Sequence, residues 1–264
     1  SSVNFYEWLD KEFKEKNIKR KWSGFLHNVI NYPTEEYPEK YRNKILPLSS
    51  LVEDSYFLNK LEDCENIFVF TEQVKNFLIK KTSFERIKLV KHPVPDFVFQ
   101  QRKWSGECDQ LLHVGQQLRK YHSFLNLETN LKKMMIKPFA MDGDLIEMKK
   151  YSNNFVSIID QVSLERYFEL LSRSIVFLDL YDVAACNTIL ECIALNIPIL
   201  VKKLDGVVEY LGKDYPFYFE TLSEASLKLK DVNLIYQTSN YLLSLNKEKY
   251  YIDEFIKQMN KNCI

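Results

Sequence analysis

The chain has 264 residues, 46% hydrophobic and 14% aromatic, which is more apolar material than a disordered chain carries and more length than the usual single domain of about 100–150 residues. Its 36 Lys and Arg balance 36 Asp and Glu, so no global positive field gathers nucleic acid or an anionic membrane surface, and any phosphate contact must be local. Cys64, Cys108, Cys186, Cys192 and Cys263 form no CxxC pair, and no apolar run reaches the ~18–20 residues of a membrane span; this argues against a zinc site, a disulfide framework or an integral membrane segment, and fits a reducing cytoplasm.

The chain begins Ser-Ser without an initiator Met, as a segment cut from a longer polypeptide would. From there, short apolar runs alternate with amphipathic stretches, the pattern of strands followed by crossover helices, so the fold class is α/β with parallel sheets. Strands are predicted at Gly24 to His27, Ile67 to Phe70 and Lys88 to Val90, with a helix at Glu72 to Lys80. The segment His92-Pro93-Val94-Pro95-Asp96 stops both helix and strand, because prolines lack a donor and push the preceding residue to extended backbone; a domain junction is expected there or by about Gly106.

Further strands are predicted at Leu111 to Val114, Met134 to Pro138, Phe155 to Ile159, Ile175 to Leu180, Ile197 to Val201 and Phe217 to Phe219, with a helix at Leu164 to Ser172. From Leu222 on, Tyr and Leu recur at helical spacing (Tyr236, Tyr241, Leu242, Leu245; Tyr251, Phe255, Met259), predicting two or three core-facing amphipathic helices. Six glycines make neither a GxGxxG fingerprint nor a Walker A loop, which disfavours a dinucleotide dehydrogenase or a P-loop kinase.

Two segments fall at the carboxyl ends of predicted strands, where open α/β sheets bind ligands. In the first, Leu111-Leu112-His113-Val114-Gly115-Gln116-Gln117-Leu118-Arg119-Lys120, a strand ends in a glycine that permits close backbone approach, and two adjacent cations follow. This is a candidate diphosphate clamp, and equally an ordinary turn with a solvated basic pair. His113 and His122 have no orienting carboxylate in sequence and read as structural or exposed.

In the second, Phe177 to Ala194, a strand runs into a loop of small residues and a helix opens at Asn187 or Thr188, where free N–H groups and the helix dipole attract phosphate. Glu191 lies one turn in, on the face of Asn187 and Thr188, where a carboxylate can accept ribose hydroxyls. Thr188-x-x-Glu191 also fits a capping box, and the two readings can coexist. Downstream, Asp205-Gly206 reads as a loop that brings backbone amides to a strand end, and Glu209 stands near the start of the next helix, where acids are favoured in any case.

Together VGQQLRK, NTILECIALNIPILV and LDGVVEYLG with KDYPFYF resemble, in order and spacing, the donor domain of GT-B glycosyltransferases, in particular family-four-like enzymes. GFLHN, CENIFVFTEQVKNFL and VKHPV look like the later strands of the acceptor domain, so the resemblance covers roughly Gly24 to Phe219. It implies two Rossmann-like domains: a partial acceptor-side domain over 1–100, a donor-binding domain over 106–235, and C-terminal helices over 236–264 packing back toward the first. The acceptor domain is expected to lack its first strands.

By the same resemblance, Arg119 and Lys120 would hold the donor diphosphate, with Asn187 and Thr188 at its distal phosphate, Glu191 would bind the ribose, and His27 would face the transferred sugar and the acceptor; Gly115, Gln116 and Gly206 complete the candidate donor-binding set. Family-four enzymes carry an acid eight residues before the Glu191 position, where this chain has Val183; the adjacent Asp182 could substitute with a one-residue shift, and Glu209 completes the candidate catalytic set. The implied reaction takes a nucleotide-diphosphate sugar to a glycan, glycoprotein or glycolipid acceptor, with retention of configuration, no cofactor and no metal, since cations and helix amides can neutralise the departing diphosphate. A non-catalytic nucleotide-sugar-binding module and a nucleotide-sugar 2-epimerase are the alternatives.

Overall fold

The computed structural model describes residues 21–31, 47–115, 117–137 and 156–263, and places nine parallel strands in two sheets. The chain divides into two units, one comprising residues up to His92 together with 257–264, the other Pro93–Ile256. Residues 93–100 and 236–256 thus fall in the second unit.

In the first unit, β1 (Trp22–Phe25), α1 (Leu48–Leu51), α2 (Ser55–Lys60), β2 (Cys64–Val69), α3 (Glu72–Thr82) and β3 (Ile87–Leu89) follow in sequence, and the sheet order is β1-β2-β3. The helix α3 starts where Thr71 accepts a hydrogen bond from the Val74 N–H, and it stops at Ser83, whose left-handed backbone turns the chain out. Its Val74 and Leu78 are buried, as are Ile67, Phe68 and Val69 of β2. Three described strands make a small sheet, and residues 1–20 and 32–46 of the expected acceptor-side domain lie outside the described residues.

The second unit runs α4 (Asp96–Phe99), β4 (Gln110–His113), α5 (Tyr121–Asn126), β5 (Lys132–Ile136), β6 (Val156–Ile159), α6 (Leu164–Ser172), β7 (Ile175–Leu178), α7 (Asn187–Leu195), β8 (Ile199–Lys202), α8 (Asp205–Leu211), β9 (Tyr218–Phe219), α9 (Leu222–Lys228), α10 (Val232–Ser244), a 3-10 turn and the start of α11 (Ile252–Cys263), whose residues from Lys257 on belong to the first unit. Its sheet order is β6-β5-β4-β7-β8-β9. All pairs are parallel, with Leu111 opposite Ile175 and Leu112 opposite Val176 at the centre. Every residue of β7 is buried, which is why the strand reads as an unbroken apolar run rather than an alternation. The order reverses between β4 and β7, the one place where successive crossovers leave in opposite directions and open a crevice at the carboxyl edge.

Each predicted strand appears within a few residues of its place, and the predicted helix at Leu164 to Ser172 forms, capped by Ser163 Oγ on the Arg166 N–H. Pro138 and Phe155, predicted as strand ends, lie outside the described residues. The C-terminal helices are only partly core-facing: Leu242 is fully buried, whereas Tyr236 and Tyr251 stay exposed. Their rings instead lie along the surface, Tyr236 against Trp104 and Tyr251 edge-on to Phe99.

Candidate functional site

A cleft of about 490 Å³ opens at the carboxyl edge of the second unit. Its walls are Val114 and Gly115 after β4, Ile136 and Lys137 at the end of β5, Gln161 and Val162 after β6, Leu164 and Tyr167 of α6, and Asn187, Thr188 and Glu191 of α7. Three adjacent strand ends therefore contribute, with α7 closing the side where the order reverses between β4 and β7.

Gly115 adopts φ +85°, a backbone open to glycine and strained for other residues. The loop then passes through Leu118 at φ 63°, an uncommon conformation for a bulky residue that is held by backbone bonds from the Tyr181 N–H to Leu118 O (3.1 Å) and from the Lys120 N–H to Asp179 O (2.9 Å). These bonds tie the loop after β4 to the loop after β7. Arg119 tightens the junction: Nε donates to Val114 O (3.3 Å), Nη1 to Gln117 O (2.6 Å) and Nη2 to Thr188 Oγ1 (3.2 Å), with Cys186 Sγ at 3.6 Å.

The first turn of α7 has no side-chain cap. Cys186 occupies the N-cap position without bonding a helical N–H, so the capping box expected from Thr188 and Glu191 is not formed. Thr188 is the second helical residue and receives Arg119; Glu191 Oε2 accepts from the Tyr167 hydroxyl at 2.6 Å. Burial raises the Glu191 pKa above the usual carboxylate range, while the Tyr167 hydrogen bond and the Arg119 charge pull it back. Asn187 is exposed at the helix start. The result is an anion-attracting helix end beside a carboxylate, on one cleft wall.

The remaining predicted residues are placed differently. Lys120 does not line the cleft: its ammonium stands 3.9 Å from Asp179 Oδ1 and 4.9 Å over the Tyr181 ring. Gly206 is not in a loop; Asp205 and Gly206 form the first turn of α8, and Glu209 sits in its second turn, half-buried and off the cleft lining. Asp182 is half-buried and accepts from the Val183 N–H (2.8 Å), while Val183 is part of the core. His27 lies in the first unit, exposed two residues past β1, and Gln116 lies outside the described residues.

His113 is fully buried and structural. Its Nδ1–H donates to Phe177 O (3.2 Å), its ring packs on Tyr121 and Phe124, and burial, reinforced by the Arg119 charge, pushes its pKa down to about 3. Among the described residues no group of three or more His, Cys, Asp or Glu is placed to hold a metal ion. Asp142-Gly143-Asp144 is an Asp-x-Asp sequence of the kind that can ligate a divalent ion, and it lies outside the described residues.

Tyr167, Lys137, Gln161 and Val162 were not among the residues predicted from sequence. The signal was available: Gln161 and Val162 directly follow a predicted strand, and Tyr167 lies in the helix that opens after it, so the carboxyl-end rule that singled out Gly115 applies to them equally.

No family model and no curated protein matches the sequence. The fold does match solved structures. Sucrose-phosphate synthase from Thermosynechococcus elongatus superposes with a TM-score of 0.72 at 11% identity over 96% of this chain and 69% of that one. TarM does so with 0.69 at 9% identity over 92% of this chain and 50% of its own length, and WaaG, a glycosyltransferase involved in lipopolysaccharide biosynthesis, with 0.65 at 14% over 98% and 82%. The chain thus spans about half the length of TarM. Among the described residues no helix is long and apolar enough to cross a membrane. At these identities the likeness is one of fold, and the fold is that of the GT-B glycosyltransferases, with a first sheet of three described strands.

Proposed function

We propose that this chain binds a nucleotide-diphosphate sugar in the β4–β7 cleft and transfers the sugar to a glycan, glycoprotein or glycolipid acceptor, without a metal and with retention of configuration. The observation that carries the reading is the uncapped start of α7 beside the Gly115 loop, both lining the cleft, with Glu191 one turn further along α7. A diphosphate would lie over the α7 amides, the ribose against Glu191, and the base toward Ile136, Lys137, Gln161 and Val162. Helix amides and the Arg119 charge would then stabilise the departing nucleoside diphosphate.

HepE from Anabaena is known in complex with UDP and glucose, and the pneumococcal O-GlcNAc transferase GtfA in complex with UDP and GlcNAc, so uridine sugars are the first donors to try. The free thiols of Cys64, Cys108, Cys186 and Cys192 suit a reducing cytoplasm. A second reading, a binding module without transfer, is favoured by one observation: Val183, at the place of the family's second acid, is buried in the core.

The deciding assay incubates the chain with a panel of nucleotide sugars and glycan acceptors, with EDTA or with Mg²⁺, and follows thermal shift, release of nucleoside diphosphate and the anomeric configuration of product. Stabilisation and release in EDTA support the transferase. Release only with Mg²⁺ would turn attention to Asp142 and Asp144. Stabilisation without release favours the binding module, epimerised free sugar favours the epimerase, and no response to any donor refutes the cleft assignment.

A further inference from the structure

We propose that Tyr167 is a positioning residue for the donor: its hydroxyl holds the Glu191 carboxylate in the orientation that accepts the ribose hydroxyls, and so makes the cleft prefer ribose to 2-deoxyribose. This rests on the donor reading given above.

The two residues come from different helices. Tyr167 is the fourth residue of α6 and Glu191 the fifth of α7, and both line the cleft. The hydroxyl donates its single proton to Glu191 Oε2 at 2.6 Å, a length typical of a bond to a charged acceptor. Burial, then the neighbouring Glu191 charge, keeps the phenol protonated well above its ordinary range, so it remains a donor at every working pH. A carboxylate offers about four acceptor positions. Tyr167 takes one on Oε2, which leaves Oε1 for a ligand. Without that bond the Glu191 side chain would have rotamer freedom to lose on binding; with it, the freedom is already lost.

The rest of the wall is equally fixed. Thr188 is held by Arg119, so the first turn of α7 is braced at two points, from the β4 loop and from α6. The charged and titratable groups around Glu191 are Tyr167 on α6, Arg119 from the β4 loop, Cys192 beside it on α7, and Lys137 on the same cleft at the end of β5. Tyr167 and Arg119 both favour the ionised carboxylate against burial. Removing the hydroxyl lets the carboxylate pKa rise further, so binding that needs the ionised form fails at a higher pH.

The test uses UDP and dUDP as probes, by calorimetry between pH 5 and pH 8, on the wild type, Tyr167→Phe, Glu191→Gln and the double variant. Phenylalanine keeps the ring and its edge-on contact with Phe168, so the fold is retained. Tyr167→Phe is expected to bind UDP about tenfold more weakly, the worth of one hydrogen bond to a charged group. The UDP-to-dUDP preference should shrink, and the acid limb of UDP binding should move to higher pH. On the Glu191→Gln background the same change should add little, since the two act as one unit. A wild type that binds neither probe overturns the donor reading itself. A wild type that binds UDP, with a Tyr167→Phe variant matching it in affinity, sugar preference and pH limb, overturns the positioning role alone, as do losses that simply add in the double variant.

Discussion

The guanidinium of Arg119 lies against the α-carbon of Gly115 so closely that a β-carbon there would stand 2.6 Å from Nη2 and 3.0 Å from Cζ. The φ of +85° calls for glycine here, and a β-carbon would in addition have to displace the guanidinium from its bonds to Val114 O, Gln117 O and Thr188 Oγ1. Gly115→Ala should lose about 1–2 kcal/mol from the left-handed backbone alone and more from the contact. It should also abolish the thermal shift given by nucleotide sugars. In a double-mutant cycle with Arg119→Ala, unfolding in urea should show the two losses to be less than additive, by about 0.5–3 kcal/mol. Additive losses would mean that the loop yields without strain.

His113 gives the acid side of the stability curve. Its folded pKa, about 3, is below the ordinary 6.5, so the unfolded chain binds the extra proton between those values. The stability this group contributes is complete above pH 6.5 and is lost as pH falls toward 3. His113→Leu should cost about 1 kcal/mol at neutral pH through the lost bond to Phe177 O. That deficit should narrow and then reverse on acidification, read as the difference in urea midpoint between variant and wild type. A deficit independent of pH would show that the imidazole is reached by water.

How far the sequence foretold this arrangement depends on whether the decisive contacts are local. The strand β7 was legible because burial on both faces leaves nothing but apolar residues, β8 because three buried apolar residues precede Lys202, and Leu164–Ser172 because its apolar residues recur at helical spacing. The Asp205-Gly206 pair was misread as a loop, since an acid in a first helical turn and an Asp-Gly turn look alike in one dimension. The capping box failed for another reason. Thr188 is engaged by Arg119, 69 residues away, and Glu191 by Tyr167, 24 residues away, and no local pattern announces either partner. Tertiary contacts thus turned a plausible helix cap into two fixed groups on a cleft wall.

Lys133 is a buried ammonium used as a helix stop. Its Nζ donates to Phe124 O (3.3 Å), Leu125 O (2.8 Å) and Leu127 O (3.1 Å), the carbonyls left open where α5 ends. Lys133→Met keeps the stem and removes all three donors, and is expected to lower unfolding free energy by about 1–3 kcal/mol. Lys132→Met, next to it but exposed and paired only with Asp109 on the surface, should stay within about 0.5 kcal/mol of wild type. Equal effects at the two positions would refute the role assigned to the buried ammonium.

At the far end of α7 two ammonium groups meet. Lys103 Nζ donates to Ala194 O at 2.7 Å, and Lys247 Nζ donates to Oδ1 of Asn196, the left-handed residue that ends the helix. Cations suit a helix carboxyl end, but here burial first, and Lys103 second, push the Lys247 pKa down from 10.5 to about 8. Between those two values the unfolded chain holds a proton that the folded chain has released, so this group's contribution to stability rises with pH across the window and is lost as pH falls through 8. Relative to Lys247→Met, the wild type should therefore gain in urea midpoint from pH 7 to pH 10. Lys103→Met should narrow that gain without removing it, because burial is the larger cause and remains. A difference between wild type and Lys247→Met that stays flat over the same range would mean that Lys247 keeps its proton in the fold and caps α7 as an ordinary charged lysine.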